Sequence, residues 1–90
     1  MCETCDPFFL PVPVGTQAAY RAQLARLRLA ERDDCLALVE SSTPWPLPEA
    51  GPLPPAARHL FSCQSCAQLF ILERGGCSAL GDQWRPLHGN

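Results

Sequence analysis

The stretch that decides the fold is HLFSCQSCAQLFIL, residues 59–72. Leu60 and Phe61 precede a Cys-x-x-Cys unit, Cys63-Gln64-Ser65-Cys66, and Leu69, Phe70, Ile71 and Leu72 follow it. Large aliphatic and aromatic residues suit a pleated, half-buried surface. A run of them on each side of a short polar segment predicts two strands joined by a tight turn. A helix beginning after Cys66 is the alternative. Arg74-Gly75-Gly76 then ends the element.

A second such unit, Cys2-Glu3-Thr4-Cys5, stands near the start of the sequence. Two cysteines separated by two residues can chelate one metal ion from a single tight turn, with the intervening amides directed at the thiolates. Zinc takes four ligands in a tetrahedron, so two such turns complete its shell. Cys2, Cys5, Cys63 and Cys66 are therefore the candidate ligands of one structural Zn²⁺. The insert between the pairs is far longer than the roughly 15–20 residues of a compact ribbon. Loop-closure cost rises only logarithmically with length, so the spacing is permitted. The rival reading is thiol redox chemistry. A redox Cys-x-x-Cys sits between a strand and a helix in a βαβ setting, and neither pair has that setting. Redox or disulfide chemistry stays open behind zinc, although nothing in the sequence selects a disulfide pairing. Cys35 reads as a small buried hydrophobe. Cys77, after two glycines, is incidental or a further ligand. His59 and His88 are conceivable ligands that read more simply as ordinary histidines.

LFSCQSCAQLFIL resembles the C-terminal knuckle of a zinc ribbon, with an apolar strand, a Cys-x-x-Cys turn and a second apolar strand, and MCETC resembles its partner knuckle. The resemblance covers these two segments only. It implies a β-hairpin fold with zinc held by Cys2, Cys5, Cys63 and Cys66. Two departures stand out. Many knuckles carry Gly after the second Cys, where this chain has Asp6 and Ala67, and the first knuckle starts at residue 2 with no strand before it. Rubredoxins share paired knuckles but bind iron on shorter chains rich in aromatics near the site, which leaves zinc ahead of iron.

Between the knuckles, PFFLPVPVG (7–15) is apolar but broken by proline, which lacks an amide hydrogen and fixes φ. It reads as an extended arm docked by Phe8, Phe9 and Leu10. Thr16 is an N-cap candidate for QAAYRAQLARLRLAER, which is rich in helix formers. Tyr20, Leu24 and Leu27 share one face of that helix, and Arg21, Arg28 and Arg32 mark another. The helix is expected to run to about Ala30. Residues 33–42 fit two patterns: a second helix capped by Asp33, or a short strand with Leu36 and Leu38 on one side. TPWPLPEAGPLPP (43–55) holds six of the ten prolines and reads as a stiff connector of polyproline II character. Its P-x-x-P registers also match ligands of aromatic-lined grooves. The tail carries Trp84 and, near its end, Leu87 and His88.

Ninety residues make one small domain with a marginal core, the kind that a metal often staples. Seven Arg, no Lys and nine acidic residues give a formal net charge of −2. A four-thiolate zinc site would take the folded protein to about −4. That balance disfavours broad affinity for a phosphate backbone. No run approaches the roughly 18 apolar residues of a membrane span. MCETCDPFFLPVPVG lacks a positive n-region and carries early acids, so no signal peptide is expected. A reducing, cytoplasmic compartment follows, where paired cysteines are better read as metal ligands.

Structural four-cysteine zinc sites are closed and leave no position for catalytic water. Asp33 and Asp34 read as caps, Glu73 and Asp82 lack an acid–base partner, and Ser62, Ser65 and Ser78 lack a nucleophile motif. No phosphate-binding loop or dinucleotide fingerprint is present. An enzyme is not expected. The expectation is an α+β fold in a single domain: a zinc-stapled, zinc-ribbon-like β-hairpin packed against one main helix. Within it, 1–15 form the first knuckle and arm, 16–42 a helical insert, 43–57 the Pro-rich connector, and 58–90 the second knuckle, hairpin and tail. The expected role is a non-catalytic protein-interaction module, an adaptor or an inhibitor of the immunity type known among small acidic bacterial proteins. Phe8, Phe9, Trp45 and Trp84 are its candidate anchors. The second reading is a transcription-associated, nucleic-acid-binding protein, with Arg21, Arg28 and Arg32 toward phosphates.

Overall fold

The computed structural model describes residues 3–43, 45, 51, 53, 56–75 and 81–87. Cys2, Cys77, His88 and most of the Pro-rich connector lie outside the described residues. Among the described residues, one α-helix packs against a five-stranded antiparallel sheet, an α+β fold.

The chain enters through a single 3-10 turn at Asp6–Phe8 and a two-residue edge strand, β1 (Val12–Pro13). Helix α1 spans Gln17–Arg32, two residues past the expected end. Thr16 caps it as its sequence predicts, with Oγ1 accepting from the Ala19 amide at 3.1 Å. Tyr20, Leu24 and Leu27 form its buried stripe together with Gln23 and Ala30. Asp33 does not start a second helix. Its amide bonds back to Leu29 O, and Asp34 at φ +58 turns the chain out of the helix.

Four strands then form a meander: β2 (Leu36–Ser41), β3 (Ala57–Cys63), β4 (Leu69–Arg74) and β5 (Gln83–Leu87). The sheet order is β1-β5-β4-β3-β2, so α1 carries the chain from one edge of the sheet to the other. A 16-residue helix is about 24 Å long, and five strands span about 19 Å between the outer two. The helix is thus long enough for the crossing. β3 and β4 are the predicted hairpin, joined through the Cys63–Cys66 turn. Residues 36–41 resolve as a strand, with Leu36 opposite Cys63 and Leu38 opposite Phe61 on the core face.

The tail forms an element its sequence does not announce. β5 lies between β4 and β1, with Trp84 opposite both Leu72 and Val12. Pro86 is tolerated because β1 reaches only Gln83 and Trp84, so at Pro86 the strand is a sheet edge. Trp84 is wholly buried. Its ring stacks on Phe70 at 5.3 Å and meets Phe61 and Phe8 edge-on, and Nε1 donates to Phe8 O at 2.8 Å.

Candidate metal centre

The β3–β4 turn is built to present sulfur. Cys63 ends β3, its amide bonded to Gln68 O and its carbonyl to the Ala67 amide, both at 2.9 Å. The Ser65 amide donates to Cys63 Sγ at 3.3 Å, the amide-to-sulfur contact expected of a Cys-x-x-Cys turn. Ala67 takes φ +64, the left-handed conformation that glycine adopts without steric cost. The residue that departs from the zinc-ribbon pattern therefore still takes the backbone shape that the turn requires. The Gln64 amide donates to Cys35 O at 3.0 Å and ties the turn to the start of β2.

The second sulfur source is the amino-terminal loop. Cys5 precedes the 3-10 turn, with the Phe8 amide bonded to Cys5 O at 2.9 Å. Phe8 anchors this loop: it is buried against Trp84, and the Arg26 guanidinium lies 4.8 Å over its ring. Arg26 also donates to Pro7 O at 2.6 Å. Phe9 is half-buried, edge-on to Phe70 at 5.3 Å. Leu10, expected to dock with them, is instead 76% exposed. The two loops also meet directly, through Ser65 Oγ donating to Thr4 Oγ1 at 3.0 Å.

Cys5, Cys63 and Cys66 converge as a result. Their Sγ atoms all lie within 4.8 Å of one another, and Cys5 Sγ is 3.6 Å from Cys66 Sγ. A disulfide has its sulfurs at about 2.05 Å, whereas tetrahedral zinc with Zn–S of about 2.3 Å sets them about 3.8 Å apart. Cys5 and Cys63 are buried, and Cys66 is exposed. Three cysteines from two segments far apart in the sequence are close enough to hold a metal ion. Cys2, the fourth candidate ligand, lies outside the described residues.

His59 is not part of this group. It is fully buried on the core face of β3 and bonded at both ring nitrogens. Ser41 Oγ donates to Thr43 O at 2.7 Å, so His59 Nδ1, 2.8 Å from Ser41 Oγ, is the donor in that pair. Nε2 then accepts from the Tyr20 hydroxyl at 2.9 Å. Burial pushes the imidazole down to about 4. Burial also raises Tyr20 above its ordinary value, opposed by the nearby Arg74 charge. A β-bulge makes the chain possible. The register shifts between Leu38 and Glu40, which sets Ser41 opposite His59 where an unbroken ladder would set Glu40. No local sequence signal marks this Tyr20–His59–Ser41 chain, because its members come from a helix and two strands.

Phe8 and Trp84 are core residues, not exposed anchors, because the sheet and the arm close over them. Trp45 is half-buried on His59 and Phe61, its Nε1 donating to Glu31 Oε1 at 3.0 Å. Arg21 donates to Gly51 O at 2.6 Å, Arg28 is half-buried, and Arg32 is exposed, so the three differ in setting. Glu73 pairs with Arg85 at 2.6 Å, and Asp82 Oδ1 accepts from the Gly75 amide at 2.8 Å, which gives both acids structural work in the β4–β5 pairing and turn. Cys35 contributes a carbonyl to the Cys63–Cys66 turn and packs against the core, as a small apolar residue does.

Compared with protein-family models, curated proteins and solved structures, the chain matches none. Its own geometry therefore carries the functional argument. Among the described residues no helix is long and apolar enough to cross a membrane.

Proposed function

We propose that this chain is a small, non-catalytic, zinc-ribbon-like protein-interaction module of the cytoplasm, stapled by one structural Zn²⁺ on Cys2, Cys5, Cys63 and Cys66. The observation that carries the reading is the meeting of Cys5, Cys63 and Cys66 within 4.8 Å, from two segments far apart in the sequence. Cys2 stands three residues before Cys5 in the sequence and would supply the fourth thiolate that a closed zinc site takes. The partner is another protein. The net charge of −2 opposes a phosphate backbone, and Leu10, Leu29 and Val39 offer apolar side chains at the surface.

The test is the metal content of protein purified without chelator, with melting temperatures before and after a strong chelator. A crosslink across a sequence separation of 61 residues is worth about 4 kcal/mol in loop-closure entropy. For a chain of this size that corresponds to a fall of at least about 15 °C. One zinc per chain and a fall of that size are expected. No metal, with indifference to chelator, refutes the reading.

A further inference from the structure

We propose that Cys5 and Cys66 are a peroxide-oxidation site, at which formation of a disulfide between them expels the metal and keeps the two loops linked. This rests on the metal reading above and adds a modification chemistry to the same cluster.

The three clustered thiols are not equivalent. Cys5 and Cys63 have essentially no exposed surface, at 0% and 2%, whereas Cys66 is exposed. An oxidant from solvent therefore meets Cys66 first, since susceptibility follows thiolate character and access. The sulfur placed to resolve the product is Cys5 Sγ, 3.6 Å away. Bond formation needs the pair to close by about 1.5 Å. Both lie on turn backbone, Cys5 before the 3-10 turn and Cys66 in the β3–β4 turn. Cys63 is held more firmly, with its amide on Gln68 O, its sulfur on the Ser65 amide, and Leu36 opposite it in the sheet.

The chemistry balances with hydrogen peroxide as oxidant. Cys66 thiolate attacks one peroxide oxygen, the O–O bond breaks, and a sulfenic acid forms as hydroxide leaves. Cys5 thiolate then attacks Cys66 Sγ, the S–S bond forms, the S–O bond breaks and a second hydroxide leaves. Two solvent protons convert the hydroxides to water. The two thiolates together lose two electrons and the peroxide gains two. Zinc changes no oxidation state and leaves because two of its anionic ligands become neutral disulfide sulfurs.

The experiment uses the full-length, reduced protein, with zinc measured first. Excess hydrogen peroxide is added, released zinc is followed with a chromogenic chelator, and remaining thiols are alkylated. Cleavage after arginine separates residues 1–21 from 59–74, and fragmentation locates any link. Zinc release in step with a Cys5–Cys66 disulfide, with Cys63 alkylated, is the expected result. Retained zinc under excess peroxide, a Cys63–Cys66 or Cys2–Cys66 link, or Cys66 sulfinic acid without a disulfide overturns the inference and leaves the metal reading standing. A chain without zinc before oxidation overturns both, and that measurement precedes the oxidant.

Discussion

Lowering the pH from 7 to 5 is predicted to cost this fold about 2 kcal/mol through His59 alone. The imidazole has no exposed surface, and burial holds its pKa at about 4, against 6.5 for an ordinary histidine. The charges nearest its partners offer it little help. Arg74 lies 4.9 Å over the Tyr20 ring, and Glu31 is engaged by Trp45. At pH 7 the residue is mostly neutral whether the chain is folded or not. Between 6.5 and 4 the unfolded chain binds a proton that the folded one does not, so stability falls as pH falls. The full loss below pH 4 is about 3 kcal/mol. Urea titrations of the wild type and His59→Gln at both pH values measure it. Gln is less stable at pH 7, because it fills the site less well, but it has nothing to titrate. Subtracting the two pH dependences removes the acid sensitivity of the cysteine cluster and the carboxylates that both proteins share. A wild type that loses about 2 kcal/mol more than the variant supports the argument. Equal pH dependences would refute it and place the imidazole in contact with water.

The thiols and their turn give two further predictions. Cys63→Ser should lose zinc and melt at least about 15 °C lower, while Cys35→Ala, outside the thiol cluster, should keep its zinc and lose only about 1 kcal/mol; similar small losses in both would refute the ligand assignment. Ala67→Gly should stabilise the protein by about 0.5–1 kcal/mol, because Ala67 sits at φ +64 where a Cβ is strained, and a destabilised variant by chemical denaturation would contradict that.

What was legible in the sequence was local. Thr16 and the Tyr20, Leu24, Leu27 spacing define α1 because capping and helical faces are settled within a few residues. The β3–β4 hairpin is equally local, its turn marked by Cys63 and Cys66. Residues 33–42 stayed ambiguous because their state is decided elsewhere: β2 is a strand by virtue of β3 beside it, and its bulge at Val39 follows from a register that no short window contains. β5 was invisible for the same reason. Gln83-Trp84-Arg85-Pro86 is short, its only strong β-former is Trp84, and its proline argues against a strand; pairing with β4 makes it one. The anchor assignments failed at Phe8 and Trp84 because an aromatic that covers a small core and one that waits for a partner read alike until the chain is folded. The cysteine pairs were legible as chelating units, but the approach of Cys5 to Cys63 and Cys66 depends on how the arm returns across the sheet.

That return path links the cluster to the core. Among its contacts, the arm is held by the Cys5 sulfur, the Phe8 ring and the β1–β5 pairing. Phe8 supplies both a ring beside Trp84 and the carbonyl that accepts its Nε1–H at 2.8 Å. Lifting the arm would strand that buried donor, at a cost of about 1–3 kcal/mol. It would also uncover an aromatic cluster in which Trp84 meets Phe61 and Phe70. β1 alone, with two residues, is too short to hold against that loss. Loss of the metal should therefore not fray the arm while the sheet persists. The centre and the core should melt together, as one transition seen alike by Trp fluorescence and by backbone circular dichroism, and an early fluorescence change with an intact sheet would show that the two are uncoupled.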